Sequence, residues 1–168
     1  MYVWIGTCDL TSRDSSTGYI TLTSTRDKSI IEKISEGYQE IARILQKYRT
    51  CKLTFLETTF YSIVANNRHR KHNTPESFTD QDKQLETQTI ELNKVVKYMN
   101  TTLDSFSTDF SIDLYRTSNY RTASHLGQHK SRRYFYIVLY IDGIHPTPAL
   151  AKAWLMKLTI RILRDCWA

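Results

Sequence analysis

The stretch "DGIHPTPALAKAWL" sets Asp142 and His145 three positions apart, directly after the apolar run "RYFYIVLYI" and directly before a segment of helical character. A carboxylate that accepts a hydrogen bond from one imidazole nitrogen fixes the ring's tautomer, so the second nitrogen is ready to take a proton from a hydroxyl or thiol. Asp142 and His145 are therefore candidates for the orienting acid and general base of a hydrolytic site, which then needs a nucleophile. Turn chemistry explains the same residues without any activity: Asp142-Gly143 turns the chain, Pro146 ends extended structure and Thr147-Pro148 starts a helix. Cys8, in "GTCDLT", is a second candidate centre. It serves as a substitute nucleophile only if the fold brings it beside His145, and otherwise reads as a small buried hydrophobe. His69 and His72 have a spacing open to chelation, but "NRHRKH" is strongly cationic and offers no acidic or cysteine ligand. A solvated loop is expected there, with no metal and no cofactor.

The elements that position these residues follow from the hydrophobic period. "YVWIG" reads as a short buried strand ended by Gly6. Over residues 29–48, Ile30, Ile34, Tyr38, Ile41, Leu45 and Tyr48 recur at helical steps and share one face. "KLTFLE" is a second strand, and the polar stretch Thr58 to Thr79, with Pro75 inside it, is long enough for a functional loop or insertion. A helix is predicted over 80–100, capped by Thr79 or Asp80. Its buried face carries Leu85, Leu92, Val95, Val96 and Met99, with Asn93 and Asn100 toward its polar side or end. "DFSIDLYR" reads as a short strand, Thr117 to Arg133 as a basic connection, and Tyr134 to Ile141 as a further strand. Thr147 then caps a last helix over 148–165, with Pro148 at its first position. Strands alternating with long amphipathic helices predict an α/β layered fold on a mostly parallel sheet of three or four strands. Ligands of such sheets bind beyond the carboxyl ends of the strands, so the loops 6–11 and 142–146 are expected to share one rim.

These residues carry a family likeness. "WIGTCDLT" resembles the GxND block, and "DGIHP" the DxxH block, of the SGNH/GDSL hydrolases; "FYSIVANN" and the helical "QDKQLETQTIELNKVVKYMN" lie between them as in that family. The resemblance covers nearly the whole chain. It implies a three-layer α/β/α, flavodoxin-like parallel sheet, incomplete at its N-terminal side, because the chain begins at what would be the third strand. It also implies a single domain over 1–168 acting on acyl or acetyl esters, with His145 as base, Asp142 as its orienter, and Gly6, Thr7, Cys8 and Asp9 as the oxyanion loop. The family's serine and its next oxyanion glycine have no counterpart here, and Cys8 replaces the asparagine that donates to the oxyanion. A thiol is a poor donor, and losing one such donor costs about 10²–10³ in rate. The expectation is an ester hydrolase domain, inactive over these residues alone. The alternatives are a non-catalytic binding or structural module and a nucleic-acid-associated domain, since similar domains occur in some retroelement proteins. The strand "YVWIG", without its neighbour, is then an open edge that invites self-association.

Composition bounds these readings. The 168 residues, 40% hydrophobic, suffice for one core. Cys8, Cys51 and Cys166 form no CxxC or zinc spacing, and the N-terminus lacks a signal-peptide layout, which favours an intracellular, cytoplasmic setting. The apolar run Tyr134 to Ile141 is far short of the roughly 20 residues that span a membrane. A net charge of +6 suits phosphate-rich partners, yet apart from "NRHRKH" and "HKSRR" the basic residues are dispersed. Tyr134, Phe135, Tyr136 and Tyr140 beside Arg132 and Arg133 fit core packing better than a base-stacking platform, which would have to expose a long apolar strand.

Overall fold

A computed structural model describes residues 1–25, 27–48, 50–121 and 129–167, with the side chains of 27–28, 117–121 and 129–134 outside that description. In chain order the elements are β1 (Tyr2–Val3), β2 (Thr11–Arg13), β3 (Ile20–Leu22), α1 (Asp27–Leu45), β4 (Thr54–Phe55), α2 (Ile63–His69), α3 (Thr79–Thr102), β5 (Tyr115–Arg121), β6 (His129–Phe135) and α4 (Pro148–Trp167). The three long helices fall where the apolar period puts them. Ile30, Ile34 and Tyr38 of α1 and Leu85, Leu92, Val96 and Met99 of α3 are buried in one core with Val3, Phe55 and Ile63. Tyr48, expected on the α1 face, lies past the helix end and is exposed. Neither Thr79 nor Asp80 caps α3; Thr79 bonds back to the Glu76 carbonyl and Asp80 pairs with Lys83. Thr147 does cap α4, through its hydroxyl to the Leu150 amide at 3.4 Å.

The sheet departs from the expected one. Among the described residues the parallel part is a single pair, β1 against β4, with Tyr2 opposite Thr54 and Val3 opposite Phe55. Two antiparallel hairpins, β2–β3 and β5–β6, make up the rest, and the second replaces the basic connection predicted from Thr117 to Arg133. The third parallel strand is missing for a local reason. Where it would pair, Asn100 takes both backbone groups of Phe55, accepting from its N–H at 2.9 Å and donating to its carbonyl at 2.7 Å. Ser107 accepts from the Glu57 amide beside it. With that edge of β4 satisfied by side chains, the run Tyr134 to Ile141 leaves its hairpin at Phe135 and coils into a 3₁₀ turn over Ile137–Leu139. Likewise "DFSIDLYR" gives a 3₁₀ turn over Ser111–Asp113 before β5 begins at Tyr115.

The polar stretch after β4 is not a loose insertion. Its first residues, Thr58 to Ser62, are all buried, and α2 follows directly. A second, smaller core of Leu56, Phe110, Leu114, Tyr140, Leu150 and Trp154 seats α4. Of the aromatic run, Tyr140 is buried, Phe135 half-buried and Tyr136 exposed, while the side chains of Arg132, Arg133 and Tyr134 lie outside the described residues.

Candidate hydrolytic site at the strand ends

Beyond β4 the extended segment Leu56 to Tyr61 anchors the two loops singled out in the sequence. On one side Leu56 donates to the Val3 carbonyl, and the Tyr61 hydroxyl donates to the Thr7 carbonyl at 2.7 Å. On the other, the Tyr140 hydroxyl donates to the Phe60 carbonyl at 2.6 Å and the Ser62 amide to the Gly143 carbonyl at 3.0 Å. The loop 6–9 and the loop 142–145 thus flank one segment at the same end of the parallel pair.

Within the second loop, Asp142 is 8% exposed and its carboxylate is fully engaged. Its Oδ1 accepts from the backbone amides of Ile144 at 3.1 Å and His145 at 2.8 Å, while Oδ2 lies 2.8 Å from His145 Nδ1. Burial alone would raise the carboxyl, but the hydrogen bonds from the His145 amide and ring and from the Ile144 amide, with the attraction of His145, together outweigh it and hold it at about 2. Asp142 is therefore ionised at neutral pH and can only accept, which makes Nδ1 the donor and leaves Nε2 as the free base position. The His145 side chain is 71% exposed, so that nitrogen is open to a partner.

Gly143, read from the sequence as the turn, and Asn66, which the sequence did not single out, hold this loop in place. Gly143 sits at φ +87°, where a Cβ would come within 2.7 Å of the Asn66 amide nitrogen and 2.8 Å of Ala65 Cβ, so α2 packs directly on the turn. Asn66, buried in α2, donates through Nδ2 to the Asp142 carbonyl. Asp82 of α3 in turn fixes the start of α2, accepting from the Ser62 hydroxyl and the Ile63 amide at 2.6 Å each. "ANN" sits inside the stretch "FYSIVANN" and carries no motif of its own; only its place in the family likeness pointed to it.

The first loop splits between two cavities. Gly6 turns at φ +100° against Leu92 and the Tyr38 hydroxyl, each 3.0 Å from where a Cβ would be. Burial pushes Tyr38 up to about 12, so it remains a donor, to the Ile5 carbonyl at 2.8 Å. Thr7 faces an apolar cavity of about 340 Å³ that Ile144 and Pro146, the neighbours of His145, also line. Cys8 and Asp9 line a different cavity, of about 520 Å³, with Ile30, Lys33 and Ile34 of α1. Cys8 is exposed, against the expectation of a buried hydrophobe. Among the described residues the ring of His145 bonds to Asp142, and no hydroxyl or thiol is its hydrogen-bond partner.

Of the stretch "NRHRKH", expected as a solvated loop, Asn67 to His69 complete α2 and Asn67 is buried. The His72 ring packs 4.6 Å from Tyr19 and 5.0 Å from Phe78, and its Nδ1 accepts from the Thr74 amide. No group of three or more histidine, cysteine, aspartate or glutamate side chains among the described residues is disposed to hold a metal ion. No helix among them is long and apolar enough to cross a membrane. No family model, no curated protein and no solved structure matches the chain.

Proposed function

We propose that this chain carries the acid and imidazole half of an SGNH-like ester hydrolase site, with His145 as general base and Asp142 as the residue that orients it. The observation that carries the reading is the 2.8 Å bond from His145 Nδ1 to the buried, ionised Asp142, on a ring that is otherwise exposed and whose chain neighbours, Ile144 and Pro146, line a cavity. In such a site Nε2 takes the proton of a serine hydroxyl as its oxygen attacks the ester carbonyl, then returns it to the departing alkoxide; water repeats the exchange to free the acid. Gly6, Thr7, Cys8 and Asp9 form the loop on which the oxyanion would rest, weakened by the thiol at Cys8. No cofactor is needed for this chemistry.

The resemblance puts the serine on a strand beside β1, and β1 has only β4 as a strand neighbour among the described residues. The same open edge supports self-association of residues 1–168. A non-catalytic module is the second reading, favoured by the lack of a hydroxyl or thiol bonded to His145 among the described residues. Nucleic-acid binding is weaker; a salt-titrated shift assay tests it, because phosphate contacts weaken steeply with salt.

Hydrolysis of short-chain aryl esters separates the two main readings. Residues 1–168 should give background turnover, unchanged by His145→Ala. The same residues joined behind a serine-bearing strand should gain turnover that His145→Ala abolishes. If the joined chain stays at background, the module reading replaces the hydrolase. If residues 1–168 alone turn over ester and Cys8→Ala removes it, the thiol is the nucleophile.

A further inference from the structure

The cavity that Thr7 shares with the neighbours of His145 has a chemistry of its own. Its floor is aromatic: Trp4 stacks on Phe110 with centroids 4.9 Å apart, and Trp154 meets Trp4 edge-on at 5.8 Å. Ile144, Pro146 and Leu158 add aliphatic wall, and Thr7 and Thr59 supply its polar groups. Among the described residues, no charged side chain lines it. A sugar or a phosphate would leave its hydrogen-bonding groups unpaired there, at a cost no contact returns. The separate cavity that holds Asp9 and Lys33 is larger and sets those charges among Ile5, Ile30 and Ile34.

We infer that this cavity binds a single aromatic ring or a short branched acyl group, presented to His145 as one side of a neutral ester. Naming the group as part of an ester rests on the hydrolytic reading of Asp142 and His145; the binding itself does not. The size argues for one ring. At about 340 Å³ the space is at the lower end of the roughly 300–1,000 Å³ of small-molecule sites and about twice the ~150 Å³ cavity that takes up benzene. A long acyl chain would overrun it, and an acetyl group alone would leave most of it empty. Indole and phenyl faces favour a flat guest through offset and edge contacts beyond the area buried. Thr7 can meet a carbonyl at the cavity wall.

The chain has three tryptophans, and Trp4 and Trp154 line the cavity whereas Trp167 is 77% exposed at the end of α4. Indole N–H resonances of residues 1–168 therefore report binding directly, without turnover. Acetophenone should give saturable shifts at millimolar concentration on Trp4 and Trp154 but not Trp167, and methyl glucoside should give none. Ala151 is exposed at the cavity wall, so Ala151→Phe fills the space without removing a core contact and should weaken acetophenone at least tenfold. Lys33→Ala, in the other cavity, should leave it unchanged. No saturable shift, an equal response to the glucoside, or binding indifferent to Ala151→Phe would overturn the inference. Acetophenone binding in a protein whose joined form never hydrolyses ester upholds this site and rejects the catalytic reading alone. His145-dependent hydrolysis without acetophenone binding does the reverse.

Discussion

Helices α3 and α4 are of similar length and flank the same parallel pair, yet they use their side chains in opposite ways. α3 buries Leu85, Leu92, Val96 and Met99, leaves Ile90 and Tyr98 exposed, and directs two asparagines at β4 and the segment that follows it. Asn100 satisfies Phe55, and Asn93 satisfies Thr58 in the same two-handed manner, 2.8 Å in each direction. Its outer face carries ion pairs such as Lys83 with Asp80 and Lys94 with Glu91. α4 buries only Leu150 and Trp154 and turns charge toward the body. Arg161 pairs with Asp165, which also accepts from the Tyr2 hydroxyl, and Lys157 bonds Asp113 at 2.6 Å. Outward it exposes Leu155, Met156, Ile160, Leu163 and Trp167. An edge closed by amides is finished, whereas α4 leaves an apolar face in solvent, the kind of surface that favours association.

The sharpest way to break this contrast is to truncate one leucine on each helix. Leu92→Ala should cost roughly 2–5 kcal/mol in urea unfolding, as a fully buried leucine does, and Leu163→Ala less than about 0.5. Comparable losses would mean that α4 is packed as α3 is. Next in size, Asn100→Ala strands the N–H and carbonyl of Phe55, each worth roughly 1–3 kcal/mol when buried unpaired. If it unfolds no more readily than the parent, the amide is not closing the β4 edge.

The loop beside α4 adds a pH test. Because the Asp142 carboxyl is held at about 2 in the folded chain against 3.8 ordinarily, its hydrogen bonds stabilise the fold above pH 4 and that stability is lost as pH falls through 2. The loss amounts to roughly 2–3 kcal/mol at most. Asp142→Asn should flatten this part of the acid-unfolding curve, and an unchanged curve would contradict the lowered value. The smallest effect on stability and the largest on association is expected from Leu163→Lys. Sedimentation velocity should show a smaller mean mass for it than for the parent at high concentration, and a parent that is already a clean monomer would remove the case for a covered face.

Much of this was legible in the sequence because period alone marks an amphipathic helix: Ile30, Ile34 and Tyr38, or Leu85, Leu92 and Val96, repeat where the core must be. The loop of Asp142 and His145 was legible because an acid three residues before a histidine, after an apolar run and before Thr147-Pro148, has few other arrangements. The sheet was not. "RYFYIVLYI" has the composition of a buried strand, but whether it joins one depends on what occupies the neighbouring edge, and Asn100 and Ser107 come from distant parts of the chain. Period also treats every apolar residue of a helix as core, and so it could not tell that α4 would face Leu155 and Leu163 outward and Arg161 inward. Asn66 was hidden for the same reason. A buried amide beneath a turn depends on a contact 76 residues away.

The central claim is that Asp142 serves His145 as an orienting acid, and turnover rather than stability tests it most directly. Residues 1–168 joined behind a serine-bearing strand should hydrolyse phenyl acetate, and Asp142→Asn should lower kcat by roughly 10³–10⁴ while KM moves little, since the amide holds the ring in the wrong tautomer without removing the turn. An Asp142→Asn enzyme with kcat within a few-fold of its parent would contradict the account and return Asp142 to the role of a turn residue.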